Sequence, residues 1–192
     1  DQSAPEYSRR DGLGVLLYPL PRPGSWNPRI AAVHRRLVAG LLARHLPGPV
    51  DAVHGHSPLQ GLAALSWGGT VARRAFSVHS PAPLELKATA RGDRFDRKVR
   101  AFLARGRLQR IERWCLENST LVTVDSMYTA SLLRQLYGSG LAERVQVIPG
   151  WVDPLRFRVV SDRQSLKARF GWPQNTAILF TLRRLVPRMG LD

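Results

Sequence analysis

The sequence predicts an α/β protein built on an open parallel sheet with helices on both faces. Three observations lead there. Short apolar runs alternate with longer amphipathic ones, and Asn-Pro or Ser-Pro pairs stand where two of the longer runs begin. Those pairs suit a helix N-cap followed by proline in the first turn. Turn-forming or polar residues end nearly every apolar run. Parallel strands need crossover connections, and such crossovers are right-handed, so this alternation points to a wound sheet rather than a sandwich or a bundle.

Taken in order, residues 14–20 (GVLLYPL) form a short apolar strand ended by Pro21-Arg22-Pro23-Gly24. Asn27-Pro28 starts a helix with Ile30, Val33, Leu37 and Leu41 on its inward face, and Pro47-Gly48-Pro49 stops it. Residues 50–56 (VDAVHGH) are the next strand, and Ser57-Pro58 starts a helix that ends near Gly68-Gly69. Residues 72–80 (ARRAFSVHS) are a third strand. Residues 81–96, polar and containing Pro and Gly, read as a loop. A long helix follows with Val99, Phe102, Ile111 and Cys115 inward, bent at Gly106. Residues 119–125 (STLVTVD) are a fourth strand, Ser126 caps the next helix, and residues 144–150 (RVQVIPG) are a fifth strand. Residues 151–160 read as a linker. Ser161 with Gln164 makes a capping-box pattern for a short helix, and residues 176–182 are a sixth strand.

Composition bounds the function. At 192 residues the chain holds one domain, or one plus a fragment, and 44% hydrophobic residues suffice for a core. The longest apolar candidate, residues 37–46, is broken by Arg44 and falls short of the ~18 residues a membrane span needs. The N-terminus carries neither a starting Met nor the apolar core of a signal peptide, so the expected location is the cytoplasm. One cysteine excludes an intrachain disulfide and any multi-cysteine zinc site. Cys115, in a helical pattern, reads as a small core residue. The net charge of +15, from 29 Lys+Arg against 14 Asp+Glu, suits an anionic partner or the inner face of an anionic membrane. The basic residues are spread along the chain rather than gathered in a stripe, so an arginine-biased composition explains them equally well. The aromatics are not interleaved with them as a stacking platform for nucleic acid would require.

In an open α/β sheet, ligands bind beyond the carboxyl ends of the strands. His56 and Ser57 follow the second strand, His79 and Ser80 end the third, Asp125 and Ser126 end the fourth, Pro149-Gly150 end the fifth, and Arg183-Arg184 end the sixth. His54 and His56 share a strand face, with His79 the only nearby third ligand, so a metal site is not expected. His54, inside the strand, reads as a packed histidine. His56, at the strand exit before a capped helix, is placed to hydrogen-bond a ligand near neutral pH. Arg183 and Arg184 are cations suited to a phosphate. The chain contains no GxGxxG fingerprint after a strand, no GxxxxGK[ST] loop, and no GxSxG elbow around Ser126.

Five blocks carry a resemblance: residues 53–65 (VHGHSPLQGLAAL), 76–81 (FSVHSP), 122–133 (VTVDSMYTASLL), 145–157 (VQVIPGWVDPLRF) and 178–192 (ILFTLRRLVPRMGLD). In this order and spacing they resemble glycosyltransferase family 4, retaining enzymes of GT-B fold. The resemblance implies two Rossmann-like domains facing a cleft, the first holding the acceptor and the second a nucleotide-diphosphate sugar. It assigns residues 1–152 to the acceptor domain without its first strand, 153–160 to a linker, and 161–192 to the beginning of the donor domain. It implies His56 as the catalytic-site residue closest to the transferred sugar, with Ser57, His79, Ser126, Gly150 and Asp153 on the substrate side. Arg184 falls on the family's diphosphate-binding arginine. The glycine before it is Arg183 here, and the family's lysine falls on Met189, with Arg188 beside it. No metal or other cofactor is implied, and no nucleic acid partner. The acceptor could be a carbohydrate, a lipid or a small molecule, and the segment 81–96 is expected to choose it.

The family's glycine-rich loop should lie upstream of Asp1 and its glutamate pair downstream of Asp192, so the chain alone is expected to be inactive. Three alternatives stand beside this reading. One is a basic module that binds an anionic polymer or nucleic acid. Another is a different GT-B enzyme, such as a nucleotide-sugar epimerase. The third is a chain that pairs with a separately encoded domain.

Overall fold

A computed structural model describes residues 6–10, 13–17, 28–46, 48–89 and 95–182. The chain divides into two compact units, Asp1–Ile148 and Pro149–Asp192. In the first, β1 (Glu6–Arg10) and β2 (Leu13–Leu17) pair antiparallel as a two-stranded sheet. The sequence marks only the second of these, and as a member of the parallel sheet. The charged and polar residues of Glu6–Arg10 show no apolar alternation, which conceals a strand that pairs with its sequence neighbour.

The remaining elements are α1 (Pro28–His45), β3 (Val50–Gly55), α2 (Pro58–Leu65), β4 (Val71–Val78), α3 (Ala82–Thr89), α4 (Phe95–Glu117), β5 (Leu121–Val124), α5 (Met127–Tyr137), α6 (Ser139–Ala142) and β6 (Val145–Val147). Strands β3, β4, β5 and β6 form one parallel sheet in that order. This is the expected α/β, Rossmann-like arrangement.

Each strand's period-two alternation sorts its residues into a core face and a second face. Phe76, Val78, Val122 and Val124 are buried with Leu65, Cys115, Leu116, Leu133 and Tyr137, and Val53, Val145 and Val147 pack beside them. These contacts put α2, α4 and α5 on that face. Cys115 is fully buried, as its sequence context predicts, and its thiol lies 3.6 Å from the carbonyl oxygen of Pro58. Burial first, and then Glu112, push the thiol up to about 12, so it is a packing group and not a nucleophile.

Two glycines set how closely α2 approaches the sheet. A Cβ on Gly55 would stand 2.8 Å from the Cα of Gly61 and 3.1 Å from the ring of Phe76. A Cβ on Gly61 would stand 2.6 Å from that same ring. The contact is backbone against backbone, and it holds the end of β3 beside the start of α2.

Three local expectations need correction. Segment 81–96 is not all loop. Leu84 and Glu85 donate to the carbonyl oxygen of Pro81 at 2.9 and 3.2 Å, which starts α3 at Ala82, and Pro81 and Pro83 mask that helix in sequence. Helix α1 buries His34 and Val38 and leaves Val33 62% exposed, one position around from the predicted stripe, because its packing partner is α2. Helix α4 runs unbroken through Gly106 and buries Ala104, Leu108, Glu112 and Cys115, while Val99 and Phe102 stay exposed. Its inner face follows the contacts with α2 and α3 rather than the apolar residues of its first turns.

The second unit holds α7 (Arg163–Arg169). Asp162, not Ser161, is its N-cap and accepts a 3.0 Å hydrogen bond from the Ser165 amide. Hydrogen bonds from the Ser165 hydroxyl and then from its amide hold the Asp162 carboxyl below its ordinary range. Lys167 donates from Nζ to the carbonyl oxygens of Gln174 at 2.8 Å and Thr176 at 2.7 Å, which ties down the chain after the helix. Residues 176–182 form no strand, and Leu179, Phe180 and Leu182 are exposed. A strand is defined by its ladder, and the described residues of this unit offer no second strand to pair with.

Candidate functional site

The second face of the sheet is polar. His54 and His56 point to it from β3 and its exit, and Ser77 and His79 from β4 and its exit, because residues two apart share a face. Ser77 stands opposite Thr123 in the β4–β5 register, and their hydroxyl oxygens are 2.6 Å apart. His54 Nε2 lies 2.8 Å from Ser77 Oγ, so a row of hydrogen bonds crosses three strands from His54 through Ser77 to Thr123. Ser77 and Thr123 are buried and mutually satisfied, whereas His54 is exposed. His54 is therefore not the packed histidine expected from its place inside the strand. It is the outer end of this row.

One step further along the strands, His56 Nδ1 lies 3.3 Å from His79 Nε2. The two rings are stacked within 7° of parallel, with centroids 5.6 Å apart, and the His54 ring lies 4.1 Å from that of His56. Three imidazoles thus meet at the carboxyl ends of β3 and β4. Burial, then the neighbouring His54 and His79, hold His56 below the ordinary histidine range. With Nδ1 turned to His79, a neutral His56 presents Nε2 to a ligand as a donor or an acceptor, according to its tautomer.

Ser57 is the N-cap residue of α2 with extended backbone, followed by Pro58 in the first turn. Its hydroxyl donates to the side-chain oxygen of Gln60 instead of capping a backbone amide. The arrangement fixes the chain direction immediately after His56.

The exit of β5 is built differently. Ser126 Oγ accepts a 3.2 Å hydrogen bond from the Thr129 amide and caps α5, and Thr129 Oγ1 donates to Asp125 at 2.9 Å. Both polar residues at this exit are engaged by their own helix. In the second unit Gly150 is exposed, and the Asp153 carboxylate accepts from the Leu155 amide at 2.9 Å within a turn that includes Arg156 and Phe157. Arg183, Arg184 and Arg188, with Met189, lie outside the described residues.

Of the residues singled out in sequence, His56, Ser57 and His79 come together in the first unit. Ser77 and Thr123 were missed, although the repeated pattern of a polar residue two before a strand-exit histidine (His54 before His56, Ser77 before His79) carries the signal. Among the described residues, no group of three His, Cys, Asp or Glu is arranged to hold a metal ion. No helix of the described residues is long and apolar enough to cross a membrane.

A comparison with curated proteins returns no match. The profile of Glycosyltransferase Family 4 matches residues 2–156, most of the chain and all of the sheet edge just described. The histidine-lined edge of this parallel sheet therefore belongs to a member of glycosyltransferase family 4.

Proposed function

We propose that this chain supplies the acceptor side of a retaining glycosyltransferase that takes a sugar from a nucleotide-diphosphate donor. The observation that carries the reading is His56, at the exit of β3, with one ring nitrogen 3.3 Å from His79 and its proton affinity lowered. A neutral, directional group beside the transferred sugar can hydrogen-bond its hydroxyls, and a depressed histidine supplies such a group near neutral pH. In this reading residues 1–152 hold the acceptor, 153–160 link, and 161–192 begin the donor domain. Ser57 and His79 border the sugar, Gly150 and Asp153 stand on the substrate side, and Ser126 shapes that side as the cap of α5 without itself touching substrate. Arg184, assisted by Arg183 or Arg188, faces the donor diphosphate and neutralises charge that grows as the bond from the anomeric carbon to the diphosphate oxygen breaks. That stabilisation needs no metal. The basic charge of +15 suits an acceptor at the cytoplasmic face of a membrane.

The test supplies the gene product carrying this chain with a panel of nucleotide-diphosphate sugars. It reads nucleoside diphosphate release and the anomeric configuration of the product by NMR. One donor consumed with retention supports the reading. No donor consumed, together with steep salt-dependent nucleic-acid binding that ignores His56→Ala, overturns it in favour of a basic binding module.

A further inference from the structure

Glu112 is 1% exposed, in the last third of α4, a position that an ionisable side chain occupies only with partners. It has two. Oε1 accepts a 2.9 Å hydrogen bond from the backbone amide of Ala82, the first residue of α3. Oε2 accepts from the hydroxyl of Tyr137, the last residue of α5, at 2.5 Å. One carboxylate from α4 thus joins the start of α3 to the end of α5. The Ala82 amide is one of the orphan donors of a helix N-terminus, satisfied here by a side chain from another helix. Pro81 and Pro83, on either side of it, are fully buried, so the turn has little freedom apart from that anchor.

Ala82 lies three residues after His79, and Ser80 and Pro81 are the whole connection between them. The position of the His79 ring over His56 therefore depends on where the Ala82 amide is held. We propose that Glu112 is a positioning residue for the site: it acts through Ala82 to hold His79 against His56. The inference rests on the glycosyltransferase reading only for what His79 is positioned to serve.

The chemistry of the carboxyl agrees with a role for its geometry. Burial raises its proton affinity, and Glu85 adds to this, while the hydrogen bonds from Tyr137 and Ala82 oppose it. Glutamine keeps the same reach, its oxygen accepting from Ala82 and its amide nitrogen donating to Tyr137. Leucine keeps the volume and loses both contacts, which leaves a buried amide unpaired.

Imidazole NMR titration of the 192-residue chain, with a cross-relaxation measurement between the His56 and His79 rings, tests the proposal without requiring any turnover. In Glu112→Leu the ring-to-ring signal is expected to weaken. The His56 midpoint should rise, because burial holds it down first and His79 adds to this, and a displaced His79 ring relieves both. Glu112→Gln should restore both. In a His79→Ala background, Glu112→Leu should no longer shift His56, since no ring remains to be displaced. Should Glu112→Leu fail to fold, Glu112→Asp, one methylene too short to reach both partners, is expected to raise the midpoint in the same direction. A folded Glu112→Leu or Glu112→Asp protein with His56 unchanged overturns the proposal, as does a shift that persists without His79. Failure of the glycosyltransferase reading would show in donor turnover and would leave these titrations as they are.

Discussion

The exits of β3 and β5 look alike in sequence, each a polar residue followed by serine and a helix, and they do different work. At β5, Ser126 accepts from the Thr129 amide and Asp125 from the Thr129 hydroxyl, so both residues complete α5. At β3, Ser57 bonds to Gln60 without capping a backbone amide, and His56 meets the imidazoles of His54 and His79 among the described residues. A polar strand exit is thus either a helix cap or a group left over for a ligand. The hydrogen-bond partners decide which.

The contrast can be broken from either side. The largest effect is expected from Gly55→Ala, because its Cβ would stand 2.8 Å from the backbone of Gly61, where nothing flexible can give. Overpacking of this kind costs about 1–3 kcal/mol, and it should also carry His56 away from His79. Thermal melting and the titration of His56 would read the two consequences together. Ser126→Ala should cost about 1 kcal/mol, the ordinary value of an N-cap, and leave the three histidines untouched. Urea unfolding gives the first number, and unchanged imidazole shifts give the second.

The smallest effect is the pH dependence of the β3 exit. His56 titrates below the ordinary value of 6.5 in the folded chain. As pH falls below that value, the unfolded chain takes up the proton first. Stability is therefore full above this window and erodes as pH drops through it toward the folded midpoint. Substituting His56→Gln should flatten that part of the melting profile, whereas Ser126→Ala should lower the whole profile without changing its slope.

Much of this was legible in sequence, and the gaps have physical causes. The four parallel strands show themselves as short valine-containing runs bounded by turn residues, and His56, Ser57 and His79 stand at the ends of two of them. Helix faces were less legible. In α1 and α4 the buried stripes include His34 and Glu112, residues that no hydrophobic pattern would place inside, since their burial depends on partners from other helices. Helix α3 was hidden by its prolines, which suit a first turn as well as a loop. The segment 176–182 has the composition of a strand, and composition cannot supply a neighbour to pair with. Ser126 was read as a substrate-side residue. Its part as the cap of α5 was legible as well, and the 3.2 Å bond from the Thr129 amide bears it out.

The most direct measurement compares His56→Ala with Ser126→Ala in the gene product carrying this chain, at equal folded fraction, on nucleoside diphosphate release from its donor. His56→Ala should lower turnover by roughly 100-fold or more, the scale of a lost directional group at the reacting centre, while Ser126→Ala stays near wild type. Equal losses in the two variants, or full turnover without His56, would contradict the assignment of the β3 exit as the working edge of the sheet.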